Sequence, residues 1–326
     1  MTTAHTSPAL RAALAAKHGS LRSSVLRELR ERFVRGMFIL CTVFSIGTTL
    51  AIIATLAWET THFFALPEVT LADFLLGTTW SPLLGAEKHF GIWPLVCGTF
   101  LVAGVGALFA LPVGLIAAVY LSEYAPKRIR ATVKPVLEVL AGVPTVVYGF
   151  FALTAITPAL QWMCTLVFGV PIFPGYNATG AGLAVGIMIL PIVCSLSEDA
   201  LQSVPRSLRE GGYALGGNRF DVSVRIVVPA ALSGIMASFF LAITRAVGET
   251  MIVALAAGGL AHLTLNPANE TQTMTAYMVQ IFLGDAPAFG VENLSSYAVA
   301  AVLFVITLGL TVAGNILLKL FQEEYE

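Results

Sequence analysis

Long apolar runs alternate with short polar stretches along this chain, and six of the runs approach or exceed the roughly 20 residues that a helix needs to cross a bilayer. They lie near Val34 to Trp58, Pro94 to Leu121, Val133 to Ile156, Thr179 to Leu196, Ala231 to Leu255 and Tyr297 to Leu318. The pattern predicts an all-α membrane protein with six transmembrane helices in a domain spanning residues 34–320, followed by a short polar tail, 321–326. Residues 1–33 are polar and basic. From Leu21 onward Val25, Leu26, Leu29 and Phe33 recur at helical spacing among Arg22, Arg27, Arg30 and Arg32, which predicts an amphipathic helix at the membrane surface. The residues before about position 20 read as a frayed tail, and the segment lacks the short apolar core and small-residue site of a cleaved signal peptide.

Three runs carry internal prolines, Pro112, Pro144 and Pro191. In lipid a proline frees a carbonyl that a neighbouring helix or water must satisfy, so kinks are expected to face protein or a cavity. Gly182 and Gly186, four residues apart, would let the fourth helix approach another closely.

Composition agrees with the pattern. Of 326 residues, 57% are hydrophobic and only 11% charged, and the mean hydropathy is +0.83. A soluble fold of this length could not hide so much apolar surface. The net charge of −1 and the lack of a large basic block give no footing for nucleic acid. Cys41, Cys97, Cys164 and Cys194 lie in or beside apolar runs without CxxC spacing, so they read as small buried hydrophobes rather than as metal ligands or disulfides. His5, His18, His62, His89 and His262 fall in the tail or loops and no nucleophile has an evident base, so no catalytic residues are assigned.

The placing of the charges sets an orientation. If both termini are cytoplasmic, sixteen of the eighteen lysines and arginines share that side: the N-terminal segment, Lys127, Arg128, Arg130 and Lys134, then Arg206, Arg209, Arg219 and Arg225, and finally Lys319. Only Lys88 is then outside, and Arg245 lies within a span. The external connections carry Glu68, Asp73, Glu87, Glu270, Asp285 and Glu292, and would form either a docking face or solvated loops. Glu138, near the cytoplasmic end of the third run, is expected to cap that end or pair with Arg130 or Lys134.

Two stretches hold the informative chemistry. Glu210 to Pro229, EGGYALGGNRFDVSVRIVVP, is a polar, glycine-bearing segment in the fourth connection, 198–230. A short helix there can lie across a cleft on a soluble partner. Gly216 would let the chain leave that helix in a left-handed conformation, and Pro229 suits the first turn of the next. The plainer alternative is a solvated loop. The second stretch holds Arg245 and Glu249. Arg245 lies sixteen residues beyond Pro229, about 24 Å along a helix, hence near mid-bilayer. A charge at that depth should face the bundle interior and marks a pathway by default. Its planar fork of donors matches an oxyanion. Glu249 could accept a proton from phosphate but not from sulfate, giving discrimination by repulsion. The alternative is that the pair only neutralises itself, although arginine before glutamate is the poorer helical order.

The spacing of Glu210, Gly216, Ile226 and Pro229 resembles the cytoplasmic coupling loop of ABC importer permeases, with Gly211, Gly212 and Val228 replacing two alanines and a leucine. Two such glycines inside a helix cost about 1 kcal/mol each. More narrowly, YAPKRIRATVKPVLEVLAGVPTVVYGF (Tyr124 to Phe150) and RAVGETM (Arg245 to Met251) resemble the PstC-type permease subunits of high-affinity phosphate ABC importers. The resemblance implies the type I importer permease fold and a multi-pass place in a prokaryotic plasma or inner membrane. It implies a heterodimer with a PstA-type permease, a PstB-type ATPase dimer in the cytoplasm and a PstS-type phosphate-binding protein outside. It further implies a phosphate path through Arg245 and Glu249, flanked by Thr244 and Thr250, and an ATPase-coupling segment of Glu210, Gly211, Gly212, Tyr213, Ala214, Leu215 and Gly216. The chain has no GxxxxGK[ST] loop and no Gly-Lys dipeptide. No cofactor or metal is therefore assigned to it, ATP and magnesium being the partner ATPase's, and it is read as a transporter permease subunit rather than an enzyme. The alternatives are a permease for sulfate, molybdate or phosphonate, or an ion-coupled secondary transporter, against which stands the lack of a clear internal repeat.

Overall fold

The computed structural model describes residues 8–82, 88–284 and 290–321. Residues 1–7, Glu87, Asp285 and residues 322–326 of the expected tail lie outside the described residues, as do the side chains of the expected amphipathic stretch from Leu21 to Arg27 and that of Leu29. The chain divides into two compact units, residues 1–58 and 59–326. Helix α1, Pro8–Phe64, is continuous, so it is helical from well before the start expected near residue 20. In the first unit its apolar side chains, among them Phe33, Phe38, Phe44 and Leu50, are exposed. The hydroxyls of Thr42, Thr48, Thr49 and Thr55 each donate to the carbonyl four residues back, so none asks for water.

The second unit begins with a compact cap: α2, Leu71–Leu76, and a two-residue hairpin, β1 Trp80–Ser81 and β2 His89–Phe90. Its core is aromatic. Phe63, Phe74, Trp80 and Phe90 meet edge to face, and Trp80 stands 4.9 Å from the Tyr277 ring.

The helical bundle follows. Helix α3, Trp93–Val119, ends in a π turn at Tyr120–Tyr124. Next come α4 Lys127–Ala141, α5 Thr145–Phe151, a π turn at Ala152–Ile156, and α6 Thr157–Phe168. Helix α7 spans Ala178–Ser203, and α8 Arg206–Ala214 and α9 Arg219–Val222 form the connection beyond it. A π turn at Ser223–Val227 leads through α10, Val228–Ala230, into α11 Leu232–Val247 and α12 Met251–Ala256. Helices α13 Met274–Leu283 and α14 Val291–Phe321 complete the chain. Among the described residues five helices or helical runs are long and apolar enough to cross a bilayer, and six if a pair bent by 69° at Ala231 is one span.

Two expected spans differ. The third begins at Thr145 and runs to Phe168, not from Val133 to Ile156. Pro144 is extended (ψ 132°) and starts a new helix, which leaves the basic, amphipathic α4 as a separate element. The fifth, expected unbroken from Ala231 to Leu255, bends at Ala231 and is interrupted at Gly248–Thr250. Pro112 and Pro191, by contrast, sit inside continuous helices.

The centre of the bundle is the parallel pair α3 and α7, brought together by glycine. A Cβ on Gly106 would lie 2.9 Å from the Gly182 carbonyl, and one on Gly186 would lie 2.9 Å from that of Gly106. With little hydrophobic drive between helices in lipid, backbone approach of this kind supplies the packing. Cys194 is buried here, whereas Cys41 is exposed and Cys97 and Cys164 are half-buried, so the expectation of four buried thiols holds for one.

Replacing Gly186 by valine drives a side chain into backbone, and overpacking of this kind costs about 1–3 kcal/mol. Gly104→Val, on α3 two residues before Gly106 and with open space around it, is the control. Thermal unfolding in detergent should show a lowered midpoint for the first only; equal midpoints would refute the close contact.

Candidate functional site

The interruption of the fifth span positions the site. Helix α11 ends at Val247, the Gly248 amide bonds back to the Thr244 carbonyl at 3.2 Å, and residues 248–250 stand outside the helices before α12 begins at Met251. Glu249 fills the gap. Its Oε1 accepts the free amides of Met251 and Ile252 at 3.2 and 3.4 Å, capping α12, while Oε2 accepts Arg245 Nη1 at 2.7 Å. Its own carbonyl accepts the buried Thr275 hydroxyl of α13 at 2.6 Å. Arginine before glutamate pairs here because the helix breaks between them, which frees the carboxylate from the helical geometry that disfavours that order.

The partners differ in exposure. The Glu249 side chain is 2% exposed and that of Arg245 is 42%. Among the described residues no other bond is made by the Arg245 fork, so Nε and Nη2 remain available on the open side. Thr244 and Thr250 flank the pair half-buried, and the Thr250 hydroxyl donates to the Gly248 carbonyl at 3.3 Å. The result is a guanidinium fixed at one end and open at the other, suited to an oxyanion. The Glu249 oxygens are engaged by the guanidinium and two amides, so an incoming anion meets Arg245 first.

The loop segment lies at another place in the second unit. Glu210, Gly211, Tyr213, Ala214, Leu215 and Gly216 are exposed, Leu215 by 91%, while Gly212 is buried. Gly216 takes φ +87° and terminates α8, as its position after the helix requires. The Asn218 side chain then caps α9 through the Asp221 amide. A Cβ on Gly212 would lie 2.5 Å from Ile226 Cδ1, so this glycine closes α8 against the π turn, whereas Gly211 has open space around it. Tyr213, Leu215 and Phe220 stand exposed on this loop.

Sequence reasoning missed a buried acid. Glu198 on α7, 1% exposed, accepts from Arg130 Nε at 2.7 Å and Lys134 Nζ at 3.1 Å, and also from Gln202. Lys134 reaches Asp199 at 2.5 Å as well. Arg130 and Lys134 therefore serve α7 and not Glu138, which is exposed and has no ion-pair partner among the described residues. A carboxylate two residues beyond the predicted end of the fourth span was the available signal. The Asp199 and Glu198 carboxylates hold the Lys134 pKa above the ordinary lysine value, bonding to Asp199 contributing most.

Residues 110–324 match the family described as binding-protein-dependent transport system inner membrane component. The chain is 32% identical to the "Probable ABC transporter permease protein YqgH" of Bacillus subtilis, across 86% of this chain and 88% of that one. It is 32% identical to the "Phosphate transport system permease protein PstC" of Xylella fastidiosa, across 77% and 80%. In fold it is similar, at a TM-score of 0.64 and 13% identity, to a crystal structure of a bacterial ABC transporter involved in the import of the acidic polysaccharide alginate, covering 90% of this chain and 97% of that one.

A raised lysine pKa means the pairing stabilises fully below the ordinary value of 10.5 and loses its effect as pH rises through the higher folded-state value. The gap in unfolding midpoint between wild type and Lys134→Met should stay constant from neutral pH up to that ordinary value and close above it. A gap that stayed open as pH rose well past that value would contradict the pairing.

Proposed function

The chain belongs to the family of binding-protein-dependent transport system inner membrane components, and from that premise we propose that it is the permease subunit through which inorganic phosphate is imported at the expense of ATP hydrolysed on a partner. It is a multi-pass membrane protein of a permease and ATPase complex, not an enzyme. The single observation that carries the substrate assignment is the half-exposed Arg245 guanidinium, anchored on Glu249 at a helix break, with donors unspent. The phosphate permeases among the relatives support the choice of anion.

In this reading the fork of Arg245 takes two oxygens of phosphate, displacing nothing that Glu249 supplies, while Thr244 and Thr250 offer hydroxyls beside it. Glu249 keeps the guanidinium aimed, and its charge disfavours a fully ionised anion that has no proton to share. The exposed face of Glu210 to Gly216 meets a PstB-type ATPase dimer, a PstA-type subunit completes the path, and a PstS-type protein delivers phosphate at the other end. The basic residues support cytoplasmic termini. ATP and magnesium are the ATPase's.

In vesicles holding the reconstituted complex, Arg245→Ala should lower phosphate uptake about a hundredfold or more, as loss of a charged anchor worth about 3 kcal/mol does. Glu249→Gln should let sulfate compete. Uptake that survives Arg245→Ala, or sulfate exclusion that survives Glu249→Gln, would refute the respective role.

A further inference from the structure

A displacement of α8 has two routes to Arg245. The covalent one follows the chain through the left-handed Gly216, the short α9, the π turn at Ser223–Val227 and the 69° bend at Ala231. Each is a joint that can flex, so little of a push on α8 need arrive at α11 by that path.

The second route is made of side chains, and Arg209 begins it. From the partly buried face of α8 its Nη1 donates to the Val204 carbonyl at 2.6 Å and its Nη2 to the Leu201 carbonyl at 2.7 Å, closing the free end of α7. The same guanidinium holds Glu123, in the π turn that ends α3, through Nη2 at 3.0 Å and Nε at 3.5 Å. Glu123 is almost fully buried, and Ser122 donates to it at 2.9 Å. One planar group thus ties α8 to the ends of the two helices that form the bundle centre. From α7 the contact passes to α11. Gly234 presses on Ala200, where an added Cβ would lie 2.4 Å from its methyl, and the buried hydroxyls of Ser197 and Ser238 meet at 2.7 Å. Arg245 follows Ser238 by seven residues, two helical turns along the same side of α11.

We infer that Arg209 is a positioning residue for transport, carrying the movement of α8 into the ends of α7 and α3 and thence, through Ser197 and Ser238, to the helix that bears Arg245. The inference rests on the reading that α8 meets the ATPase. Lysine cannot replace arginine here, because one ammonium cannot hold two carbonyls and a carboxylate in a plane.

The test uses the whole complex in vesicles, with ATP hydrolysis and phosphate uptake measured on the same preparation for wild type, Arg209→Lys and the milder Glu123→Gln. Expected are complexes that assemble and hydrolyse ATP but move about tenfold less phosphate per ATP, the scale of a typical coupling energy. A fault confined to stability lowers yield without changing that ratio. An unchanged ratio in both variants overturns the inference, as does failure of both to assemble, which would make Arg209 structural only. A wild-type complex that hydrolyses ATP yet carries no phosphate instead sinks the functional reading beneath it.

Discussion

A guanidinium set within an apolar helix has to be held, and the way this chain holds Arg245 shapes much around it. The carboxylate of Glu249 satisfies the cation, but a glutamate in regular helix after an arginine pairs poorly. Breaking the helix at Gly248–Thr250 resolves the conflict and exposes backbone amides, which the same carboxylate then caps. The break needs support in turn, and Thr275 supplies it by bonding the Glu249 carbonyl. One buried acid therefore serves as counter-ion, helix cap and anchor to α13.

The loop end follows the same economy. Charges that would be costly if left alone are each shared among several partners: Glu198 among Arg130, Lys134 and Gln202, and Arg209 among Glu123 and two α7 carbonyls. Breaking a buried pair by removing one partner is strongly destabilising, which makes such clusters rigid joints between elements. The parallel α3 and α7, meeting glycine to backbone, form the stiff body to which they are bolted. Beside that body the fifth span carries a π turn, a bend and an interruption.

This division of labour gives the transport reading a physical basis. A carrier needs a frame and a binding group that can move against it, and Arg245, the proposed binding group, stands on a span that is bent at its start and interrupted after Val247. The side chains of Tyr213, Leu215 and Phe220 stand exposed on the segment proposed to meet the ATPase. Their elevated exposure contrasts with Gly212, which is buried so that α8 can rest on Ile226 and Val222.

By itself the sequence determined the solvent, the helical class and the glycine contact of the fourth helix, and it singled out the two stretches proposed to carry the chemistry. Those properties are local or periodic: apolar run length, spacing within a helix, and the cost of a charge in lipid can be read without knowing what lies opposite. It did not reveal that Pro144 splits the third run, because a proline may either kink a helix, as Pro112 and Pro191 are accommodated, or end it, and neighbouring contacts decide. Nor could it assign Arg130 and Lys134 to Glu198 and Asp199 rather than to Glu138, since a cation chooses its acid by distance across helices. The pairing of Arg245 with Glu249 was legible in their spacing, whereas the open side of the fork was not. That asymmetry depends on which face the bundle covers, and only tertiary packing settles it.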